Sequence, residues 1–238
     1  IARLVADGLK DLNLPLSKHL TPFNENAMAG INKTVVLDEF YNNEWKKNAK
    51  GVSERFHYVW DDTANSGFSI LGSKIVKLGA SIDSLCEAPT VQNLNRASVY
   101  VIVDPDTPLE TEHPNHVDSS ATEAIARWVN NGGILVLMEN DKGNAEFEHF
   151  NKLSEKFGIH FNEESKNRVT GNAYEMGRFD TFPDHPLFKG VRQIYMKEIS
   201  TLKIQDPAAA IFSDKGDVII AYAKVGKGGV FAVGGPWL

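Results

Sequence analysis

The sequence predicts an α/β fold with a doubly wound, mainly parallel sheet and a C-terminal antiparallel β extension. Apolar, strand-like runs alternate with helical patterns of about ten to fifteen residues, which is typical of such folds. One of the runs, Ile134 to Met138, is unbroken and apolar, as expected for a parallel strand that is covered on both faces, and another, Ser98 to Val103, is rich in β-branched residues. From residue 193 onward, short strands and tight turns such as Asp214-Lys215-Gly216-Asp217 predict antiparallel pairing.

The composition fits one folded domain and excludes several classes of partner. A chain of 238 residues with 42% hydrophobic content is long enough to bury a core. The net charge is -6 and the basic residues are scattered, so we expect neither a nucleic-acid partner nor an anionic membrane surface. No apolar run approaches the roughly 20 residues that span a bilayer. The single cysteine, Cys86, excludes an internal disulfide.

The sequence predicts two parts, an N-terminal extension over 1–32 and an α/β domain over 33–238. The domain opens with a strand at Thr34 to Leu37, and a short extended piece follows at Phe56 to Trp60. Apolar positions at helical spacing from Phe68 to Leu78 predict a helix. Gly79 is expected to end this helix, because glycine readily adopts the left-handed conformation at a C-terminal cap.

The middle of the chain repeats the alternation of strand and helix. The predicted elements are a strand at Ala80 to Leu85, a helical turn at Val91 to Leu94, a strand at Ser98 to Val103, a helix at Ser119 to Val129, a strand at Ile134 to Met138, a helix ending near Phe157, and a strand at Ile159 to Phe161. Asn144 is the predicted N-cap of the last helix. Phe147, Phe150 and Leu153 give that helix one apolar face, which can pack on the sheet.

The last third of the chain changes character. Asn, Gly, Asp and Pro accumulate over 162–186, which predicts a long covering or functional loop. Short strands are predicted beyond it, at Gln193 to Ile204, Ala208 to Phe212, Val218 to Lys224 and Gly229 to Val233. They form the expected antiparallel extension at one edge of the sheet.

Acids and amides follow several predicted strands, and this pattern indicates a site. In open α/β sheets, ligands bind in the crevice at the carboxyl ends of the strands. Asp and Asn can bind sugar hydroxyls, and neighbouring aromatic rings can stack on the apolar face of a sugar. The candidate ligand-binding residues are Asp38, Asn42, Trp60, Asp61, Asp62, Asn65, Asp104, Asp106, Glu139, Asn140, Asp141, Asn144 and Trp237. The same acids also suit helix caps and turns, so a structural role stays open.

The residue types at this edge restrict the chemistry. Neither Ser nor Cys follows Met138, where a strand-to-helix turn would present a nucleophile. Cys86 lacks the setting of a sharp nucleophile turn and is interpreted as an inert, partly buried thiol. His113, His116 and His185 lack metal-ligand spacing, and His149 is interpreted as a surface or capping residue, so no metal site is expected from them. Ca²⁺, held by several of the carboxylates, is the one ion that the acid pattern could accommodate.

Five segments together resemble a known family. They are TVVLDEFYNNEW from Thr34, FHYVWDDTANSGFS from Phe56, YVIVDPDTP from Tyr100, GGILVLMENDKGNAEFEHFN from Gly132 and AKVGKGGVFAVGGPWL from Ala223, with a His-Pro-Leu-Phe segment at His185. From about Lys33 to Leu238 the chain resembles the class I glutamine amidotransferase-like domains found with bacterial unsaturated rhamnogalacturonyl and glucuronyl hydrolases. The resemblance implies a flavodoxin-like fold, a saccharide-processing setting, association with a glycoside hydrolase domain or protein, and a periplasmic or extracellular location. No Cys-His-Glu triad can be placed, so amidotransferase activity is not expected.

Three functional hypotheses follow. The first is an accessory domain that binds a saccharide or another polar small molecule during pectin or rhamnogalacturonan breakdown. The second is a glycoside hydrolase that uses a carboxylate pair, either Asp62 with Asp104 or Asp106 with Glu139, as acid and base. The third is a non-catalytic protein-interaction module, in which the acids only cap helices and close turns.

Overall fold

A computed structural model describes residues 28–236 of the chain. The sequence-based expectations for 1–27, which form most of the predicted N-terminal extension, and for Trp237 lie outside the described residues. The first strands and helices of the described part are β1 (Thr34–Asp38), β2 (Trp45–Lys47), β3 (Ser53–Arg55), α1 (Ser69–Lys77), β4 (Ser81–Leu85), α2 (Val91–Leu94), β5 (Val99–Val103), α3 (Ser119–Asn130), β6 (Ile134–Met138) and α4 (Phe147–Ser154). Strands dominate the remainder, which holds β7 (Ile159–Phe161), β8 (Arg178–Phe179), β9 (Ile194–Tyr195), β10 (Leu202–Ile204), β11 (Ala208–Asp214), β12 (Asp217–Val225) and β13 (Gly228–Val233).

A nine-stranded sheet organises the molecule, and its class is the one predicted. In spatial order the strands run β4-β1-β5-β6-β13-β12-β10-β7, with β11 also paired to β12. The pairs from β4 to β13 are parallel. All residues of β5 and β6 are buried, as their apolar sequences predict for strands covered on both faces. The described part of the chain is therefore a flavodoxin-like α/β domain.

The antiparallel extension is present at one end of the sheet, as predicted, and the last strand of the chain lies at its junction with the parallel part. β13 pairs in parallel with β6, and β12 then pairs with β13 in the antiparallel direction. The last strand thus continues the parallel part of the sheet, and β12, β11, β10 and β7 follow it outward. The sequence pattern shows which residues of a strand are apolar, but it does not show which other strand lies beside it. Tertiary packing decides the pairing.

Two apolar layers cover the sheet. One contains α3 and α4, whose Ile125, Phe150 and Leu153 are fully buried against the strands. The other contains α1, through Ile75, and the long segment after β7. That segment packs on the sheet with apolar side chains that include Phe179, Leu187, Met196 and Ile199. Of these four residues, Phe179 lies in the predicted loop over 162–186, so that loop covers part of a sheet face together with the residues that follow it.

Three local predictions are wrong. Phe56 to Trp60 is a loop, and the extended pieces before it are β2 and β3, which pair with each other as a separate hairpin. The stretch from Gln193 to Ile204 is divided into β9 and β10, because Glu198 between them adopts a positive φ of 54° that interrupts extended backbone.

The third correction concerns the start of α4. Its N-cap is Glu146, whose carboxylate accepts hydrogen bonds from the backbone N–H groups of His149 and Phe150. Asn144 instead donates its side-chain amide to Asp141. The helix begins later than the sequence suggested, and the glutamate side chain is long enough to reach the free N–H groups of the first turn. The other predicted cap is confirmed, since Gly79 follows α1 with φ of 87°.

Among the described helices, none combines the length and the apolar character that crossing a lipid bilayer would require.

Candidate functional site

The acids that follow β1, β5 and β6 meet at one edge of the sheet. These strands are parallel neighbours, so Asp38, Asp104 and Glu139 emerge at the same end. Asp104 turns the chain with a φ of 48°. The convergence that the sequence predicted is therefore present, and the environment of each side chain decides what it can do.

Asp38 closes a turn inside the protein. Its carboxylate accepts hydrogen bonds from the backbone N–H groups of Phe40 and Tyr41 and from the hydroxyl of Tyr100. Burial raises the pKa of Asp38 to about 7, although these hydrogen bonds oppose the shift. The side chain is 1% exposed, so a large ligand has no access to it.

Glu139 and Asp104 form the most unusual pair at the edge. Glu139 is fully buried, and neither of its carboxylate oxygens has a hydrogen-bond partner among the described residues. Burial, followed by the neighbouring charges of Asp104, Glu146 and Glu110, raises the pKa of Glu139 well above its usual range. Burial also raises the pKa of Asp104 well above its usual range, with Glu110 as the next cause. Both carboxyl groups therefore keep their proton to a higher pH than ordinary Asp and Glu side chains do.

The other buried candidates are tied to turns and neighbouring loops. Asp106 accepts hydrogen bonds from the Thr111 hydroxyl and from the Asn43 backbone N–H, and burial raises its pKa to about 6. The remaining contacts are Asn42 Nδ2 to the Asp104 carbonyl at 3.1 Å, Asn140 Nδ2 to Asp104 Oδ2 at 3.5 Å, the Asp141 backbone N–H to Asn140 Oδ1 at 3.0 Å, and the Asn144 amide to Asp141. This part of the edge is filled by the protein itself.

The loop after β3 is more open. Asp61 and Asn65 are exposed, whereas Asp62 accepts hydrogen bonds from the backbone N–H groups of His57 and Ala64 and so closes a turn. The indole of Trp60 donates to the carbonyl of Asp83 and its ring packs against the core. Of these four candidates, Asn65 alone lines an open pocket.

That pocket lies between the Asn65 loop and the segment that covers the sheet. It has a volume of about 440 Å³, and its lining residues are Asn65, Val169, Tyr174, Gly177, Tyr195, Met196 and Lys197. Tyr174 is 61% exposed and Tyr195 is 38% exposed, so both rings are available to a ligand. Glu175 accepts a hydrogen bond from the Tyr195 hydroxyl at 2.9 Å and forms an ion pair with Arg178 at 2.8 Å. These contacts orient the Tyr195 ring. We call this feature the Tyr174–Tyr195 pocket.

Sequence reasoning missed both tyrosines, because they lie in a stretch without strand or helix periodicity. It also missed a group of metal-binding side chain types on the opposite side of the sheet, formed by His116, Glu146 and His149. His116 lies about thirty residues before the other two along the chain, so no short sequence motif contains all three residues.

Comparisons with known proteins give the fold and no family. No protein-family model matches the chain, and no curated protein sequence matches it. The mmIFT52 N-terminal domain is similar in structure, with a TM-score of 0.62 at 17% identity over 86% of each chain. Two cytoplasmic proteins of Salmonella typhimurium are also similar. STM1381 has a TM-score of 0.55 at 15% identity, and STM3548 has 0.53 at 17% identity, each covering 85% of this chain and 87% of its own.

At these identities the likeness extends to the architecture alone. The flavodoxin-like, amidotransferase-like α/β fold that the sequence resemblance implied agrees with these neighbours. Likeness in architecture does not identify the ligand of this chain. Its function is therefore inferred from the geometry of the residues described above.

Proposed function

We propose that this domain is a non-catalytic binding module that recognises a saccharide in the Tyr174–Tyr195 pocket, as an accessory to plant-polysaccharide breakdown. The observation that carries the proposal is the pair of exposed tyrosine rings lining one concave pocket beside the Asn65 amide. A sugar ring offers an apolar C–H face for stacking on an aromatic ring and hydroxyls that an amide can bind. The volume of about 440 Å³ falls within the range of small-ligand sites.

The resemblance to domains associated with rhamnogalacturonyl and glucuronyl hydrolases supports a uronic-acid oligosaccharide as the first ligand to test. Lys197 lines the pocket, and its ammonium group, which forms an ion pair with Glu198 at 2.7 Å, places a positive charge beside a bound sugar carboxylate. Association with a glycoside hydrolase domain, and a periplasmic or extracellular location, belong to the same proposal.

The geometry of the acids gives less support to carboxylate-dependent hydrolysis. Hydrolysis needs two carboxyl groups that face the scissile bond in one accessible cleft. Asp104, Asp106 and Glu139 are each buried to at least 96%, since none is more than 4% exposed. Asp62 is engaged in a turn by two backbone N–H groups. Neither of the two pairs considered from the sequence presents both members to solvent.

The experiment is a calorimetric titration of the full chain with galacturonan and rhamnogalacturonan oligosaccharides, repeated with Tyr195→Ala and Tyr174→Ala. We expect each variant to bind about fivefold more weakly or worse, since stacking on one aromatic ring contributes on the order of 1 kcal/mol. Trp45→Ala is the matched control, because Trp45 is a 55% exposed aromatic residue outside the pocket lining. Flat titrations with every oligosaccharide, or equal loss in Trp45→Ala, would contradict the proposal.

A protein-interaction module is the second candidate, and a specific observation favours it. Met176, two residues after Tyr174, is 50% exposed and does not line the pocket, so the same short segment carries a further exposed apolar side chain. An adaptable methionine beside tyrosines suits a protein segment as well as a sugar. Under this alternative the oligosaccharide titrations stay flat, while Tyr174→Ala and Met176→Ser weaken binding to a protein partner.

A further inference from the structure

Three side chains of the types that bind transition metals meet at the start of α4. Glu146 and His149 belong to that helix start, and His116 reaches them from the loop between β5 and α3. One potential ligand atom from each residue lies within 4.8 Å of the others. Ligand atoms around a tetrahedral Zn²⁺ stand about 3.3 Å apart, given Zn–N bonds of roughly 2.0 Å. Small side-chain rotations therefore suffice to bring the three atoms onto one ion.

Two of the three ligands are already held in place. The Glu146 carboxylate accepts hydrogen bonds from the His149 backbone N–H at 3.0 Å and from the Phe150 N–H at 3.2 Å. The same carboxylate lies 2.9 Å from His149 Nδ1. Because the helix cap fixes the carboxylate, it also fixes the imidazole next to it. A fixed ligand set loses little conformational entropy when an ion binds.

His116 completes the group from a different segment of the chain. Its ring stacks on that of His149 with centroids 4.6 Å apart and an angle of 17° between the planes. The lone pairs of imidazole nitrogens lie in the ring planes, so one of the two stacked rings must rotate before both nitrogens face the same ion. His116 is exposed, so it can adjust its position without disturbing the core.

The charge and the donor chemistry of this corner suit a divalent ion. Two imidazoles and one carboxylate, with water in the fourth position, form a ligand set of catalytic zinc sites, and imidazole also suits other first-row transition metals such as Ni²⁺. Glu148, the residue before His149, adds an exposed carboxylate to this corner, where it pairs with Lys152 at 3.0 Å. A pocket of about 660 Å³, lined by Glu146 and Glu148 among other residues, adjoins the group and leaves room for water.

We propose that His116, Glu146 and His149 bind a divalent transition-metal ion of the Zn²⁺ class, with water in the remaining position. The ion ties the loop between β5 and α3 to the start of α4. The site lies on the α3 and α4 side of the sheet, because Phe147 and Phe150 belong to that layer, whereas Met196 of the Tyr174–Tyr195 pocket belongs to the other. Metal binding is thus independent of the proposed saccharide function.

The test is a calorimetric titration of the chelator-treated full chain, freed of any histidine tag, with ZnCl₂. We expect one ion per chain and at least a tenfold loss of affinity in His116→Ala, which removes an exposed side chain and leaves the helix cap intact. His160→Ala is the matched control. His160 also lies beside a glutamate, with its Nδ1 2.8 Å from Glu155, but it is not part of the group formed by His116, Glu146 and His149. The control should bind Zn²⁺ within twofold of the wild type.

A second readout uses Co²⁺ in place of Zn²⁺. The visible absorption of bound Co²⁺ reports imidazole coordination, and we expect it to appear in the wild type and in His160→Ala but to be lost in His116→Ala. Absence of Zn²⁺ binding, or affinity in His116→Ala within twofold of the wild type, would overturn the proposal. Glu146→Gln adds a check on the carboxylate ligand, because the amide keeps much of the size of the cap while removing its charge.

Discussion

The hydroxyl of Tyr100 donates a hydrogen bond to the carboxylate of Asp38 across the neighbouring strands β1 and β5. Both side chains are almost completely buried, at 0% and 1% exposure. The same carboxylate also accepts two backbone N–H groups of the turn that follows β1. A residue that looks like a ligand-binding acid in the sequence thus organises the turn on which the rest of the edge is built.

Tyr100→Phe is expected to lower the free energy of unfolding by about 1–3 kcal/mol, because it leaves a buried carboxyl group short of one partner. Tyr41→Phe is the matched control: Tyr41 is equally buried, but its hydroxyl has no hydrogen-bond partner among the described residues. That variant should be neutral or slightly stabilising. Urea unfolding followed by circular dichroism checks both, and equal effects would contradict the assigned hydrogen bond.

Glu139→Gln is expected to become more stable relative to the wild type as the pH rises. The pKa of Glu139 is raised above 4.5 in the folded state, so above about pH 4.5 the folded protein holds a proton that the unfolded chain has lost. The wild type therefore loses up to about 1.4 kcal/mol of stability per pH unit from this group, until the pH reaches the folded-state pKa. Glutamine does not titrate, so this loss is absent from the variant.

Unfolding curves at pH 5 and pH 7 measure the difference in the free energy of unfolding between variant and wild type, which should shift in favour of Glu139→Gln at the higher pH. Glu148→Gln is the control, because Glu148 is an exposed carboxylate paired with Lys152. It should leave the pH dependence almost unchanged. A difference for Glu139→Gln that stays constant between the two pH values would show that Glu139 ionises normally in the folded protein.

Glu146→Ala should destabilise the protein by about 1 kcal/mol, the usual effect of losing a helix N-cap. Asn144→Ala should have a smaller effect, because Asn144 is exposed and lies outside the helix. Thermal or urea unfolding in the presence of a chelator separates the cap from any bound metal ion. A larger loss of stability in Asn144→Ala than in Glu146→Ala would show instead that Asn144 is the N-cap.

Cys86 is expected to react slowly with iodoacetamide at pH 7. Cys86 is exposed, not partly buried as interpreted from the sequence. Desolvation and then the nearby Glu39 carboxylate raise the pKa of the thiol, whereas Arg55 opposes the shift, and the thiolate is the reactive form. Glu39→Gln should therefore accelerate alkylation several-fold, with a cysteine-containing peptide as the reference. Mass spectrometry gives the rates, and an unchanged rate in Glu39→Gln would remove Glu39 as a cause.

Much of the fold could be predicted because its signals are local. The apolar runs of β5 and β6 required cover on both faces, and Phe147, Phe150 and Leu153 set the buried face of α4. The pairing of β13 with β6 could not be read in the same way. Both are short apolar strands, and either could pair with several neighbours until the whole sheet selects one order.

The candidate site shows the same division. By itself, the sequence determined that acids would follow β1, β5 and β6 and that parallel strands would carry them to one edge, because strand ends and strand direction are properties of local pattern. Tertiary structure alone decided that Asp38, Asp104 and Glu139 are enclosed there, that Tyr174 and Tyr195 line an open pocket, and that His116 lies against His149. Enclosure and proximity depend on which distant segments pack together, and residue spacing along one chain does not contain that information.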